Sequence, residues 1–190
     1  MEIVKYPHPA LRWKSSPVTA INAELRTIVR EMFDLMYEAK GIGLAANQVA
    51  LPLRLFVLNL SADPAETDEE FVFINPEIVR RKGNQEAEEG CLSMPNLYGD
   101  VRRADEIVVH AYGLDGQPFE LTIDDLASRA IQHETDHLDG ILFTDRMTEA
   151  ARREVDPMLS DFESLFRRQQ EQGKYPSDAQ IQAQLQEWTP

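Results

Sequence analysis

Cysteine is nearly absent, with Cys91 the single one in 190 residues. No intrachain disulfide is therefore possible, which fits a reducing compartment and leaves one thiol free for chemistry. No apolar run approaches the length of a membrane span. The opening Met1-Glu2-Ile3-Val4-Lys5-Tyr6-Pro7-His8-Pro9 has no basic stretch followed by a long apolar one. Neither a membrane contact nor a secretory signal is expected, and the expected location is cytoplasmic. Positive charge is scarce too, with 19 Lys and Arg against 33 Asp and Glu, a formal net charge of −14. That balance argues against DNA as a partner, since a nucleic-acid surface is basic. The Gly41-Ile42-Gly43 segment lacks the third glycine and the preceding strand of a dinucleotide fingerprint, so phosphate binding there is rejected. Internal repeats are lacking as well.

Apolar residues make up 43% of the chain, enough for a sizeable core. The length suits one domain with a terminal appendage, and the expected division is 1–147 and 148–190. Residues 1–20, with Pro7, Pro9 and Pro17, read as an irregular arm. Asn22 is placed to cap a helix that runs to Lys40 and ends at Gly41. Strands are expected at 54–60, at 71–75 (stopped by Pro76) and at 77–81. Strands at 106–113 and 118–123 flank an Asp115-Gly116 turn, a strong hairpin signal. Helical composition returns at 149–155 and 158–172, broken by Pro157, with Leu159, Phe162, Leu165 and Phe166 as an apolar stripe. A short Gln-rich helix capped by Ser177 is expected at 177–187, frayed or docked on a partner. The fold class that follows is α+β: mainly antiparallel β-sheets around a central helix, with an N-terminal helix and a helical C-terminal extension.

That central helix carries Gln132-His133-Glu134-Thr135-Asp136-His137. Two histidines four residues apart project from one helix face and can hold one metal ion, and the adjacent glutamate can act on water at that ion. The helix is expected at 125–139, with Asp124 as N-cap and Gly140 as its stop. On a helical wheel Leu126, Ala130, His133 and His137 fall within about 60° of one another on an apolar, inward face. Asp125, Ser128, Arg129, Gln132, Thr135, Asp136 and Asp139 fill the opposite, polar side. Two histidines do not close a metal site, and the remaining donors are His8, His110, Cys91 and the carboxylates. Cys91 is the best candidate by its small-residue context, although a lone cysteine is more often an inert buried residue.

Three segments occur in order: Gly41-Ile42-Gly43-Leu44-Ala45-Ala46-Asn47-Gln48, Glu89-Gly90-Cys91-Leu92-Ser93 and Gln132-His133-Glu134-Thr135-Asp136-His137. With the Tyr6-Pro7-His8-Pro9-Ala10-Leu11 arm, they make the chain resemble peptide deformylases from the N-terminus to about Phe143. The resemblance implies Cys91, His133 and His137 as metal ligands, with one position left to water. It implies one Fe2+ per chain, with Zn2+, Ni2+ or Co2+ as substitutes. It makes Glu134 the general base, and the Gln48 amide and Leu92 N–H the donors to the developing oxyanion. It places Ile42, Gly43, Glu89, Gly90, Leu126, Arg129 and Ala130 at the substrate, an N-formyl-methionyl nascent peptide bound as an added strand. A transient ribosome contact through Arg152-Arg153 and Arg167-Arg168 is a further expectation from that substrate. Two departures stand out. Arg129 falls where apolar side chains are expected, either lining the pocket with its head in water or lying on the surface. Val101-Arg102-Arg103 replaces an expected Val-Pro-Arg, and Arg103 either pairs with Asp136 to hold the helix or forms a plain exposed ion pair. Two other functions compete: a general metallopeptidase built on the same helix, and a metal-stabilised binding module closed by His8 or His110.

Overall fold

A computed structural model describes residues 1–188 of the chain. The architecture is α+β, as the patterning indicates. Helix α1 (Ala23–Glu38) is followed by strands β1 (Gly43–Ala45), β2 (Leu55–Leu58) and β3 (Phe71–Lys82). Strands β4 (Gln85–Cys91), β5 (Met94–Arg103), β6 (Glu106–Tyr112) and β7 (Pro118–Ile123) precede helices α2 (Asp125–Leu138), α3 (Glu149–Glu171) and α4 (Asp178–Glu187). A five-stranded antiparallel sheet runs β1-β2-β3-β6-β7, and β4 and β5 form a separate hairpin.

The central sheet is covered on both faces, which explains why β2 is apolar throughout. Leu55 and Val57 join Leu25, Val29, Met32, Phe33 and Met36 of α1. Their neighbours Phe56 and Leu58 point the other way, towards Ala130, Ile131 and Leu138 of α2. Successive strand residues face opposite sides, so one run serves two cores. A third cluster joins Val4 and Leu11 of the arm, Met94, Leu97 and Val101 of β5, and Val155 and Leu159 of α3. Helix α2 thus lies between the sheet and the β4–β5 hairpin.

The helix ends follow their local chemistry. Asn22 Oδ1 accepts from Leu25 N–H at 2.9 Å and opens α1. At its other end the left-handed position falls on Lys40 (φ 58°), one residue before the expected Gly41. Lys40 N–H then bonds Tyr37 O at 2.9 Å and Gly41 N–H bonds Met36 O at 2.8 Å, the paired closure of a Schellman motif. Helix α2 closes in the same way on Gly140 (φ 72°). There a side chain would stand 2.5 Å from the Arg12 carbonyl oxygen, so glycine is needed for space as well as conformation. Asp124 occupies the N-cap of α2 but makes no side-chain cap bond.

Several expectations are corrected. Pro76 does not end a strand; β3 runs through it with a register shift between Ile74 and Glu77. Asn75 adopts φ 52° there, and its amide bonds both backbone groups of Val18. Asparagine tolerates that conformation, its side chain ties the arm to the strand at the shift, and its backbone N–H bonds the Arg54 carbonyl at 2.8 Å. Pro157 lies inside a continuous α3. Its side chain is exposed, and its missing N–H costs the helix one internal hydrogen bond. Leu165 is exposed and leaves the stripe, while Leu159 and Phe166 are buried. Helix α4 docks on its own chain: Ile181 and Leu185 pack with Ala10, Phe166, Trp13 and Tyr175. The β4–β5 hairpin is a further departure, since no strand is expected over 85–103.

Candidate metal centre

The hairpin delivers Cys91 at the end of β4, and α2 delivers His133 and His137 from successive turns. Cys91 Sγ lies 3.4 Å from His137 Nε2, and the two imidazole Nε2 atoms are 3.2 Å apart. All three donor atoms lie within 4.8 Å of one another. Tetrahedral coordination with ordinary bond lengths puts two nitrogens about 3.3 Å apart and a sulfur about 3.6 Å from a nitrogen. The spacing therefore fits a divalent ion. Among the described residues this is the one cluster of three or more such donors. His8 is instead buried against Phe166, and His110 pairs with Glu120 at the surface, so neither supplies a fourth ligand.

The two imidazoles sit in unlike electrostatic surroundings. Burial and the charge of His133 hold His137 well below the usual imidazole range. Burial also opposes a charge on His133, but hydrogen bonds to Cys91 and Glu89 outweigh it and raise it to about 10. The Glu89 carboxylate fixes which His133 nitrogen stays bare: Oε2 lies 3.0 Å from Nδ1, leaving Nε2 towards the ion.

Glu134 is buried, and burial pushes its carboxyl up to about 7. Its Oε2 has no hydrogen-bond partner in the protein. A buried, unpartnered carboxylate oxygen beside the triad is placed to take a proton from something small. Its carboxylate packs over Gly43, where an added Cβ would meet Glu134 Oε1 at 2.6 Å. Gln48 is held at both ends. Its Oε1 accepts from Ala45 N–H at 2.9 Å, which turns Nε2 towards Cys91 Sγ (3.4 Å) and Ser93 Oγ (3.3 Å). Lys5 donates to the Leu92 carbonyl at 2.7 Å, and Tyr6 N–H to the Ser93 carbonyl at 2.9 Å. The N-terminal arm thus straps the Cys91 segment in place.

A cleft of about 610 Å³ opens onto these groups. Ile42, Gly43, Gln48, Glu89, Gly90, Cys91, Leu92, Leu126, Arg129, Ala130, His133 and Glu134 all border it. Leu126 does so from the rim, 53% exposed rather than turned inward. The wheel's polar side is also corrected. Ser128, Arg129, Gln132, Thr135 and Asp136 are all buried; the hairpin meets Arg129 and Asp136, and Ala104 just beyond it meets Ser128 and Gln132. Gln132 bonds both backbone groups of Ala104, and Ser128 Oγ donates to the Ala104 carbonyl. Arg129 is neither at the surface nor turned to water; its head is buried on Glu89, Val101 and Gln85. Arg103 pairs with Asp136 while buried, and takes both Glu89 oxygens at 2.9 Å. Asn47, whose amide bonds the His137 carbonyl, and Tyr98, half-exposed at the cleft, escaped the sequence reading. Asn47 lies inside a recognised segment, whereas nothing in the sequence marks Tyr98.

The polypeptide deformylase family model matches residues 1–153. A peptide deformylase of Rhodopirellula baltica is 43% identical over 188 residues, covering 99% of this chain and 93% of that relative. One from Acidobacterium capsulatum is 53% identical over 146 residues, covering 77% and 85%. The crystallised peptide deformylase of Plasmodium falciparum superposes with a TM-score of 0.85 at 40% identity, covering 87% of this chain and 97% of that one. Peptide deformylase 1B of Arabidopsis thaliana does so with a TM-score of 0.84 at 38% identity, covering 93% and 96%. The chain belongs to the polypeptide deformylase family, metallohydrolases that remove the formyl group from the N-terminus of nascent peptides.

Proposed function

We propose that this chain deformylates formyl-methionyl peptides at the cleft in front of Cys91, His133 and His137, with Glu134 as general base. The observation that carries it is the convergence of three metal-donor atoms, a buried unpartnered carboxylate oxygen and an oriented amide at the floor of one cleft. A divalent ion held there supplies Lewis acidity, which brings the pKa of water towards neutrality. Glu134 takes the proton of the attacking water and later delivers it to the leaving amine. The Gln48 Nε2–H and the Leu92 backbone N–H stabilise the negative charge that develops on the formyl oxygen. The Ala45 N–H bond to Gln48 Oε1 orients that amide before substrate arrives.

Ile42, Gly43 and Gly90 offer backbone for an added peptide strand. Leu126, Ala130 and the stem of Arg129 border the space for the methionine side chain, and the Glu89 carboxylate faces away from it into its ion pairs. The ion assigned is Fe2+, on the family resemblance; the donor set alone suits Zn2+, Ni2+ or Co2+ equally. Cytoplasmic work on nascent chains agrees with the lone, free thiol. Residues 1–147 form the catalytic unit in this reading. Residues 148–190, of which 189 and 190 lie outside the described residues, are proposed to extend it, supported by the packing of Val155 and Leu159 on the arm and hairpin. The arginines suggested for ribosome contact offer little support: Arg152, Arg153 and Arg167 are paired with Asp156, Glu149 and Asp178.

The test compares formylated and unformylated peptides side by side, with wild type and Glu134→Gln. Release of formate from the former alone, lost in a metal-loaded Glu134→Gln protein, is the expected result. Cleavage of internal bonds would instead favour a general peptidase, and near-normal turnover by Glu134→Gln would remove Glu134 from the mechanism.

A further inference from the structure

The charge buried beside the triad includes one residue that the deformylation chemistry does not use. Arg129 lies on α2 one turn before His133 and is 6% exposed. Its guanidinium crosses to the hairpin. Nη1 donates to Glu89 Oε1 at 2.6 Å and to the Val101 carbonyl at 3.0 Å, and Nη2 donates to the Gln85 carbonyl at 3.2 Å. All three acceptors belong to β4 or β5. The triad is divided between the same two bodies, with Cys91 on the hairpin and both histidines on α2. Three donors meet one ion only if those bodies keep a fixed spacing.

We propose that Arg129 is a positioning residue that pins α2 to the β4–β5 hairpin and fixes Glu89 against His133, so that the metal ligands stand in register before an ion binds. This rests on the ligand assignment made above. Glu89 receives Arg103 Nε and Arg129 Nη1 on Oε1, and Arg103 Nη2 and the His133 Nδ1 contact on Oε2. Its acceptor sites are thereby filled, and it cannot turn away from His133 without breaking a guanidinium bond. A second tie lies further along the helix, where Arg103 reaches Asp136. Arg129 and Asp136 are two turns apart with His133 between them, so the two guanidiniums hold α2 on either side of the ligand. Arginine is required because one planar fork reaches three acceptors; a lysine ammonium is a single point of charge.

Charge neutralisation of Glu89 is the competing explanation, and the conservative variant separates the two. Full-length wild type, Arg129→Met and Arg129→Lys are stripped of metal and titrated with Co(II). The thiolate-to-cobalt charge-transfer band reports Cys91 ligation, and a cooperative urea transition reports folding. Arg129→Met is expected to bind Co(II) about 10–100-fold more weakly, with altered visible bands, as loss of a group that orients a metal-bound imidazole generally does. Arg129→Lys is expected to recover only part of the loss. A folded Arg129→Met protein with Co(II) affinity within twofold of wild type overturns the proposal, as does full recovery by lysine. Should the methionine variant fail to fold, the lysine variant decides by the same criterion. Absence of the charge-transfer band in wild type would sink the ligand assignment instead, a distinguishable failure.

Discussion

Gly43→Ala tests how tightly the proposed general base, Glu134, is held. A methyl at this position would lie 2.6 Å from Glu134 Oε1, 3.0 Å from its Cδ and 3.1 Å from its Cγ. Ordinary contact begins at 3.4 Å, so the carboxylate must retreat by about 0.8 Å. Glu134 is buried and cannot simply swing into water. A displacement near 1 Å at a reacting group can cost about 10²-fold in rate, or roughly 2.7 kcal/mol of barrier. Stability should move little. Gly43 is in a strand without a left-handed φ, so alanine fits the backbone and restricts the unfolded chain by about 0.4–1 kcal/mol, which offsets part of the crowding. The three atoms nearest the new methyl all belong to Glu134. The expected result is a fall of about 10² in kcat for formate release, with normal metal content and a near-normal urea midpoint. Metal-loaded Gly43→Ala with kcat within about threefold of wild type would refute the claim that this glycine places Glu134.

Cys91→Ser should lower bound metal sharply while the fold persists, and an unchanged metal-to-protein ratio would strike Cys91 from the ligands. Gln48→Ala removes one proposed oxyanion donor and should reduce kcat about 10²–10³-fold with metal retained; a loss confined to KM would assign Gln48 to substrate binding alone. Burial lowers His8 to about 4, against about 6.5 when unfolded, so its contribution is whole above pH 6.5 and is lost as pH falls through that window towards 4. The loss at pH 5 amounts to about 2 kcal/mol, and urea midpoints at pH 7 and pH 5 should converge in His8→Asn, which keeps an acceptor for the Ala10 N–H.

Local chemistry made much of the fold legible. Asn22 and Ser177 each cap the helix that follows with a side-chain acceptor, and the Asp115-Gly116 turn joins β6 to β7. The spacing of His133 and His137 placed both imidazoles together. What was not legible depended on partners distant in the chain. The β4–β5 hairpin is rich in Glu, with Gly90, Pro95 and Gly99, and has little of the apolar alternation that marks a strand. It is stabilised by packing on α2 and α3, which no local window contains. Pro76 and Pro157 look like breakers in a local window, which contains neither the Val18 partners of Asn75 nor the exposure of Pro157. The lone cysteine became a ligand candidate only through its surroundings, since nothing in spacing connects it to His133.

The wheel of α2 shows where the inference from polarity to surface fails. It assumes one dry side and one wet side, and it was right that the histidines face inward. Yet Arg129, Gln132 and Asp136 are buried as well, because a second body packs where solvent was expected. Arg129 and, through Arg103, Asp136 bond that body, and Gln132 bonds Ala104 just beyond it. Glu89 and Asp136 carry two negative charges against two positive ones on Arg103 and Arg129, so the fully buried set is neutral, and Arg146 adds a half-exposed partner to Asp136. Such a set brings little net stability over apolar packing, but breaking one member leaves a buried charge uncompensated, at a cost of about 3–5 kcal/mol. Apolar packing tolerates small slippage of a helix, whereas directed bonds to fixed acceptors do not. A site whose ligands come from two bodies needs that second property. The buried charges around His133 are therefore better understood as setting the register of the metal centre than as stabilising the fold.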